Sequence, residues 1–215
     1  MGGEEAQTES LIKLTAKNLF FQKGFLNATT QEIADEAGVN RALIHYYFRS
    51  REQMLEILLD DTLREKKDRV RSILSSDLPF REKIANYIDA VVDHGLKYPY
   101  LDNFIVSEMA RRPDKVKTFC ARDPLRSSDL IRSQLKKEVD GGKLAAISAE
   151  HFMINLISLC NYPLLAKSVL QTVHGMGDKA YRKFLMERKR IIYQTIFNEE
   201  MPELVAHQDQ TKSPA

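Results

Sequence analysis

The chain has 215 residues, 43% of them hydrophobic and 29% charged, with a net charge of +2. That is apolar material for one core, or for a small domain joined to a larger one, and the charge content suits a surface in water. The near-balanced charge gives no general pull toward nucleic acid. Two cysteines, Cys120 and Cys160, stand far apart and outside any CxxC pattern. This argues against a disulfide scaffold or a cysteine zinc site and fits a reducing, cytoplasmic setting. The opening MGGEEAQTES is polar and acidic, unlike a signal peptide. No uncharged apolar run approaches the ~20 residues of a membrane span. The longest candidate, FMINLISLCNYPLLA, carries Asn155, Asn161 and Pro163 and reads as a buried helix.

Helical periodicity recurs along the chain and no convincing strand alternation appears, so an all-α protein is expected. A first helix is expected over about Thr8–Lys23, with Ile12, Ala16, Leu19 and Phe20 on one face and Gly24 as its stop. Thr29 with Glu32 forms a capping box for a short second helix, which Gly38 ends. Asn40 caps a third helix, and Ser50 with Gln53 opens a fourth, long one that ends at SSDLP. A fifth runs over about Phe80–Lys97 with Ile84, Tyr87, Ile88, Val91 and Val92 inward, and a sixth ends near Arg112. Residues 114–140 read as helical, with an interruption at Pro124, and close at DGG. Ser148 opens an apolar helix to about Val173, bent or interrupted near Pro163. After an HGMGD loop the last helix runs over about Asp178–Asn198. The domain reading is therefore a helix-turn-helix head over 1–50, a larger helical domain over 51–200, and a flexible polar tail over 201–215.

Between Thr30 and Phe48 two short helices flank a tight turn. Ile33, Ala34 and Ala37 face in from the first, and Ile44 and Phe48 from the second. Arg41, Ala42, Leu43, His45, Tyr46 and Tyr47 are left on the outward face and its flanks. An outward helix face gains little stability from histidine and tyrosine rings, but such groups can bond phosphates and base edges in a DNA groove. Up to Ser50 the head holds five basic residues (Lys13, Lys17, Lys23, Arg41, Arg49) against six acidic ones (Glu4, Glu5, Glu9, Glu32, Asp35, Glu36), so any phosphate attraction must be local.

The stretch TTQEIADEAGVNRALIHYYFRSREQML, preceded by AKNLFFQKGFLNATT, closely resembles the DNA-binding head of the tetracycline-repressor (TetR) family of transcriptional regulators. The resemblance spans about residues 8–58; the remainder matches in helical layout and length. It implies a homodimer that binds a palindromic operator in double-stranded DNA, acts as a repressor, and is released by a small-molecule effector. Carried over position by position, it makes Thr30, Arg41, Ala42, Leu43, His45, Tyr46, Tyr47 and Arg51 the DNA-contacting set. Thr30, Tyr47 and Arg51 would hold phosphates, while Ala42, Leu43, His45 and Tyr46 would face bases or sugars. Two positions depart from the family: Leu43 stands where many members have a small hydroxyl residue, and His45 where many have tyrosine.

No catalytic or metal motif competes with this reading. His45, His94, His151, His174 and His207 are scattered, no GxSxG, GxGxxG or P-loop appears, and neither an enzyme activity nor a cofactor is expected. An effector pocket is expected within residues 80–175. Phe104, Met109, Phe119, Phe152, Met153, Leu156 and Leu159 would supply its walls, and Asn103, Cys120, His151, Asn155, Asn161 and Tyr162 its polar anchors. The last helix carries a wide apolar band, so Tyr181, Phe184, Leu185, Arg188, Ile192 and Ile196, with Phe152 of the preceding helix, are expected at the dimer interface.

Overall fold

The computed structural model describes residues 2–111 and 129–204. Every regular element among them is helical. In chain order these are α1 (Gly2–Lys17), continued by a π-helical turn at Asn18–Gln22, α2 (Thr30–Ala37), α3 (Arg41–Phe48), α4 (Arg51–Ser75), α5 (Phe80–Lys97), α6 (Leu101–Arg111), α7 (Asp129–Asp140), α8 (Ala149–Leu165), α9 (Lys167–His174) and α10 (Asp178–Phe197). The expected interruption at Pro124, Phe119 of the expected pocket wall, and most of the expected tail lie outside the described residues.

One expected helix needs correction. The first begins six residues earlier than Thr8 and changes form before Gly24: in the wider π turn Leu19, Phe20 and Phe21 are all buried. The Ser148–Val173 stretch is interrupted just after Pro163, as expected, into α8 and α9, which meet at a bend of 70°. Pro163 lies inside α8, where it cannot donate to the preceding turn, and its carbonyl accepts the Tyr181 hydroxyl. Two turns of chain beyond this defect are free to take another direction. Among the described residues no single helix is long and apolar enough to cross a membrane.

The apolar side chains form two cores. One holds Ile12, Phe20, Phe21, Ile33, Ile44, Phe48, Met54 and Leu58 from α1–α4, and also Tyr98, Leu101 and Ile105 from the α5–α6 corner. The other joins Val70, Leu74, Ile84, Ile88, Leu156, Leu164, Leu185 and Ile192 across α4, α5, α8 and α10. Burying each such side chain stabilises by about 1.5–3 kcal/mol. The long α4 enters both cores, so the head is not joined to the body by a loose linker. In the second core α5 and α8 touch closely at Gly95: a Cβ there would lie 2.3 Å from a methyl carbon of Leu164. Buried Lys189 of α10 donates to Asp89 at 2.7 Å and Asp93 at 2.6 Å on α5, locking the rotation of the last helix.

Candidate nucleic-acid interface

The head is positioned by its caps. The Thr29 hydroxyl accepts from the Glu32 N–H at 3.2 Å, and the Glu32 carboxylate accepts from the Thr29 N–H at 2.7 Å. The hydrogen bond from the Thr29 backbone holds the Glu32 carboxyl below its usual range. Gly38 takes φ +66°, the left-handed conformation that turns α2 into α3. Asn40 then accepts from the Ala42 N–H at 2.8 Å and starts α3. At Ser50 only the first half of the expected box forms, through the Gln53 N–H at 3.1 Å.

With Ile44 and Phe48 anchoring α3 inward, Arg41, Ala42, His45 and Tyr46 are exposed and Leu43 and Tyr47 half-buried. Tyr46 is 70% exposed, which no packing role explains. The Arg41 Nε donates to the Thr30 hydroxyl at 3.1 Å, bringing these two expected contacts together at the junction of α2 and α3. The Tyr47 hydroxyl donates to the Glu5 carbonyl at 3.2 Å, and its ring meets Tyr46 edge-on at 5.0 Å. The His45 Nδ1 lies 2.9 Å from the Arg49 carbonyl oxygen. A carbonyl can only accept, so Nδ1 carries the proton and Nε2 is the acceptor of the neutral ring. Arg49 itself sits at φ +59°, rare outside glycine, in the tight turn to α4.

Arg51 differs from its expected place. Its Nε donates to the Ala28 carbonyl at 2.7 Å, a terminal nitrogen donates to the Leu26 carbonyl, and the guanidinium lies 5.6 Å from the Phe20 ring centre. It braces the loop before α2 from inside the head. Head lysines are also engaged: Lys13 pairs with Glu9, Lys17 with Glu65 and Lys23 with Glu36. Arg49, exposed beside α3, makes no ion pair with the described residues.

This head is matched by the family model described as bacterial regulatory proteins, tetR family, over residues 13–58. Along the whole chain the similarity extends to a probable HTH-type transcriptional regulator, YttP, of Bacillus subtilis, 21% identical over 90% of this chain and 95% of that protein. The HTH-type regulator BetI of Agrobacterium fabrum is 34% identical over 40% of this chain and 41% of its own length. In architecture, a TetR/AcrR-family regulator from Thermobifida fusca superposes with a TM-score of 0.60 at 19% identity, covering 87% of this chain and 97% of that one. Over residues 13–58 the chain carries a TetR-family DNA-binding head.

As in a TetR-family regulator, a DNA-binding helix-turn-helix head is followed by a helical body. Within that body the expected effector residues do not converge. Asn103, His151, Asn155 and Tyr162 are exposed, and Phe104 packs half-buried against Phe21 with ring centres 6.1 Å apart. Cys120 lies outside the described residues. Among the described residues the expected anchor Asn161 has a buried side-chain oxygen without a hydrogen-bond partner, as do both ring nitrogens of His94, which was not among the expected anchors. Burial, aided by the neighbouring Lys66 ammonium, pushes the His94 pKa down to about 4. Cys160 is buried and its thiol is pushed up to about 12, so it is unreactive.

The expected dimer set needs the same correction. Phe152, Tyr181, Leu185 and Ile192 are each under 5% exposed and belong to the chain's own core; Phe184, Arg188 and Ile196 are half-buried beside it. A helix offers two apolar stripes when its hydrophobic band is wide, and the richer one went inward. The outward faces instead carry Ile154 and Tyr162 on α8, Val169 and Val173 on α9, and Met186 and Ile191 on α10. Their signal in the sequence was phase: Ile191 stands one residue from core Ile192, about 100° around the helix and out of the core.

Proposed function

We propose that this chain is a TetR-family repressor that binds a palindromic operator as a homodimer and is released by a small-molecule effector. The outward face of α3 carries the reading. Arg41, Ala42, His45 and Tyr46 are presented together on a helix pinned by Ile44 and Phe48. In the proposed complex Ala42, Leu43, His45 and Tyr46 meet base edges or sugars in the major groove, while Thr30, Arg41 and Tyr47 meet phosphates. His45 offers an acceptor to DNA when neutral, which suits the exocyclic amino group of cytosine or adenine better than the acceptor edge of guanine. Leu43 contributes apolar contact only. Arg51 acts by holding the head in shape.

A second copy of the chain is the proposed cover for the outer stripes of α8, α9 and α10. Six large apolar side chains, each at least 45% exposed, would otherwise stand in water. Helices of two protomers packed there form an isologous bundle that sets the spacing of two heads. One head holds few phosphates, and two heads about one turn of DNA apart, ~34–36 Å or a multiple, double the contacts.

The test is fluorescence anisotropy of the full-length protein with an operator selected from randomised duplex DNA. Tyr46→Ala and His45→Ala are expected to shift base preference at the contacted pair by about 1–3 kcal/mol. Equal weakening across all sequences would show that the two rings only grip the backbone.

A further inference from the structure

A cleft of about 170 Å³ lies where the end of α5, the Tyr98–Tyr100 corner and the first turns of α9 and α10 meet. Its floor is apolar, made by Leu96, Pro99, Leu164 and Leu185. Its rim carries two cations, Lys167 and Arg182, against one carboxylate, Asp178. Arg182 has no ion-pair partner among the described residues, and Lys167 shares Asp178 at 3.1 Å with Gln171, which donates to the same oxygen at 3.0 Å. A dry cavity of roughly 150 Å³ accommodates a benzene-sized body. The chemistry that fits is an apolar body of that size ending in a single negative group.

The cleft also touches the head. Lys167, with its side chain only 14% exposed, stands 5.1 Å from the centre of the Tyr100 ring. Tyr100 in turn donates its N–H to the Phe21 carbonyl at 3.1 Å in the π turn. Its ring lies against Gly24, where a Cβ would come within 2.9 Å of it. One lysine and one tyrosine therefore separate the rim from the base of the DNA-binding head. A carboxylate bound on the cleft side draws the Lys167 ammonium from the Tyr100 face, and the packing that seats the head on the α5–α6 corner loosens.

We propose that this cleft is the effector site and that its ligand is a small monocarboxylate with an apolar body, read by Lys167 and Arg182 and reported to the head through Tyr100. The proposal rests on the reading of the chain as a ligand-released regulator.

Calorimetry of the full-length protein with benzoate and hexanoate tests the site, with benzyl alcohol and benzylamine as uncharged and cationic controls. Benzoate is expected to bind at least about tenfold more tightly than either control, because a charge-assisted hydrogen bond is lost in both. Arg182→Glu, an exposed substitution, is expected to weaken benzoate by about tenfold or more. Asp178→Asn removes the competing carboxylate and should strengthen it, and Leu96→Trp fills the floor and should abolish it. No binding of either acid, equal binding of benzyl alcohol, or benzoate binding indifferent to Arg182→Glu and Leu96→Trp each overturns the site.

Coupling is read by operator anisotropy. Benzoate should weaken operator binding by the wild type and by Tyr100→Phe, and should bind Tyr100→Ala without changing its operator affinity. If another compound releases the operator while benzoate does not bind, the site is wrong and the regulator reading stands. If benzoate binds at Arg182 yet never affects operator affinity, the cleft is not the effector site. A chain that selects no operator at all overturns the regulator reading and this proposal with it.

Discussion

The head and the body are held by different means. In the head, short helices are fixed by local hydrogen bonds: the Thr29–Glu32 box, the Asn40 cap, the Gly38 turn and the Arg51 brace all join residues within about a helix or two of one another. Its polar groups are turned to a purpose on the surface of α3. In the body, long helices depend on distant apolar contacts, with Lys189 reaching back about half the chain to Asp89 and Asp93. The body also keeps polar atoms buried without partners, at His94, Asn161 and Arg188. A module fixed locally presents one surface reliably, whereas each unsatisfied buried group weakens the packing around it. That division suits a rigid reader attached to a responsive body.

The sharpest way to break the comparison is at two adjacent residues of α10. Ile192→Glu buries a charge in the body core and is expected to cost about 4 kcal/mol or more, seen as loss of cooperative unfolding near room temperature. Ile191→Glu, at a 51% exposed position, should leave the melting temperature of the fold nearly intact and yield monomers by light scattering. If Ile191→Glu remains a dimer, the outer face of α10 is not the seam.

A smaller effect concerns pH. The His94 pKa lies at about 4 in the fold and near 6.5 when unfolded, so the unfolded chain binds the extra proton first. No penalty exists above about pH 7, and stability falls as pH drops from about 6.5 toward 4, by about 3 kcal/mol in total. Denaturant titrations of wild type and His94→Phe at pH 7 and pH 4.5 should show a pH-dependent gap. An identical slope in both proteins would remove His94 from the account. The head carries no such buried histidine, so its own melting should be the less pH-sensitive of the two.

Within the head, Arg51→Ala should lower stability by roughly 2 kcal/mol, through two stranded loop carbonyls. The salt dependence of operator binding should stay as it was, whereas Arg41→Ala should flatten the slope by about one unit per head. A flattened slope for Arg51→Ala would return that residue to the phosphate backbone. The smallest change is Thr29→Ala, expected to cost about 1 kcal/mol by removing the cap of α2, as read by thermal unfolding.

Local grammar explains which parts of this chain are legible before folding. Thr29, Glu32, Gly38 and Asn40 state their roles within three or four residues, and the short helices they bound are found where the caps put them. The α5 boundaries and its inward residues Ile84, Tyr87, Ile88, Val91 and Val92 follow from one clean apolar stripe. On α10 the apolar band is too wide to reveal which half meets the chain's own core, so Leu185 and Ile192 were expected at the surface that Met186 and Ile191 occupy. Arg51 is ambiguous for another reason: a long side chain at the start of α4 can reach either DNA or the carbonyls of residues 26 and 28, and only the loop's path decides. The cleft at Lys167 and Arg182 gathers residues from four elements, and its making depends on the bend after Pro163, whose angle no local pattern encodes.

The central claim is that two heads of this chain read one symmetric DNA site through α3. Selection of duplexes from a randomised pool by the full-length protein, followed by sequencing, tests it most directly. The account predicts an inverted repeat whose half-sites lie about one helical turn or a multiple apart, ~34–36 Å per turn, and whose enrichment disappears for Ile191→Glu. Enrichment of a single asymmetric site that survives Ile191→Glu, or no enrichment at all, would contradict it.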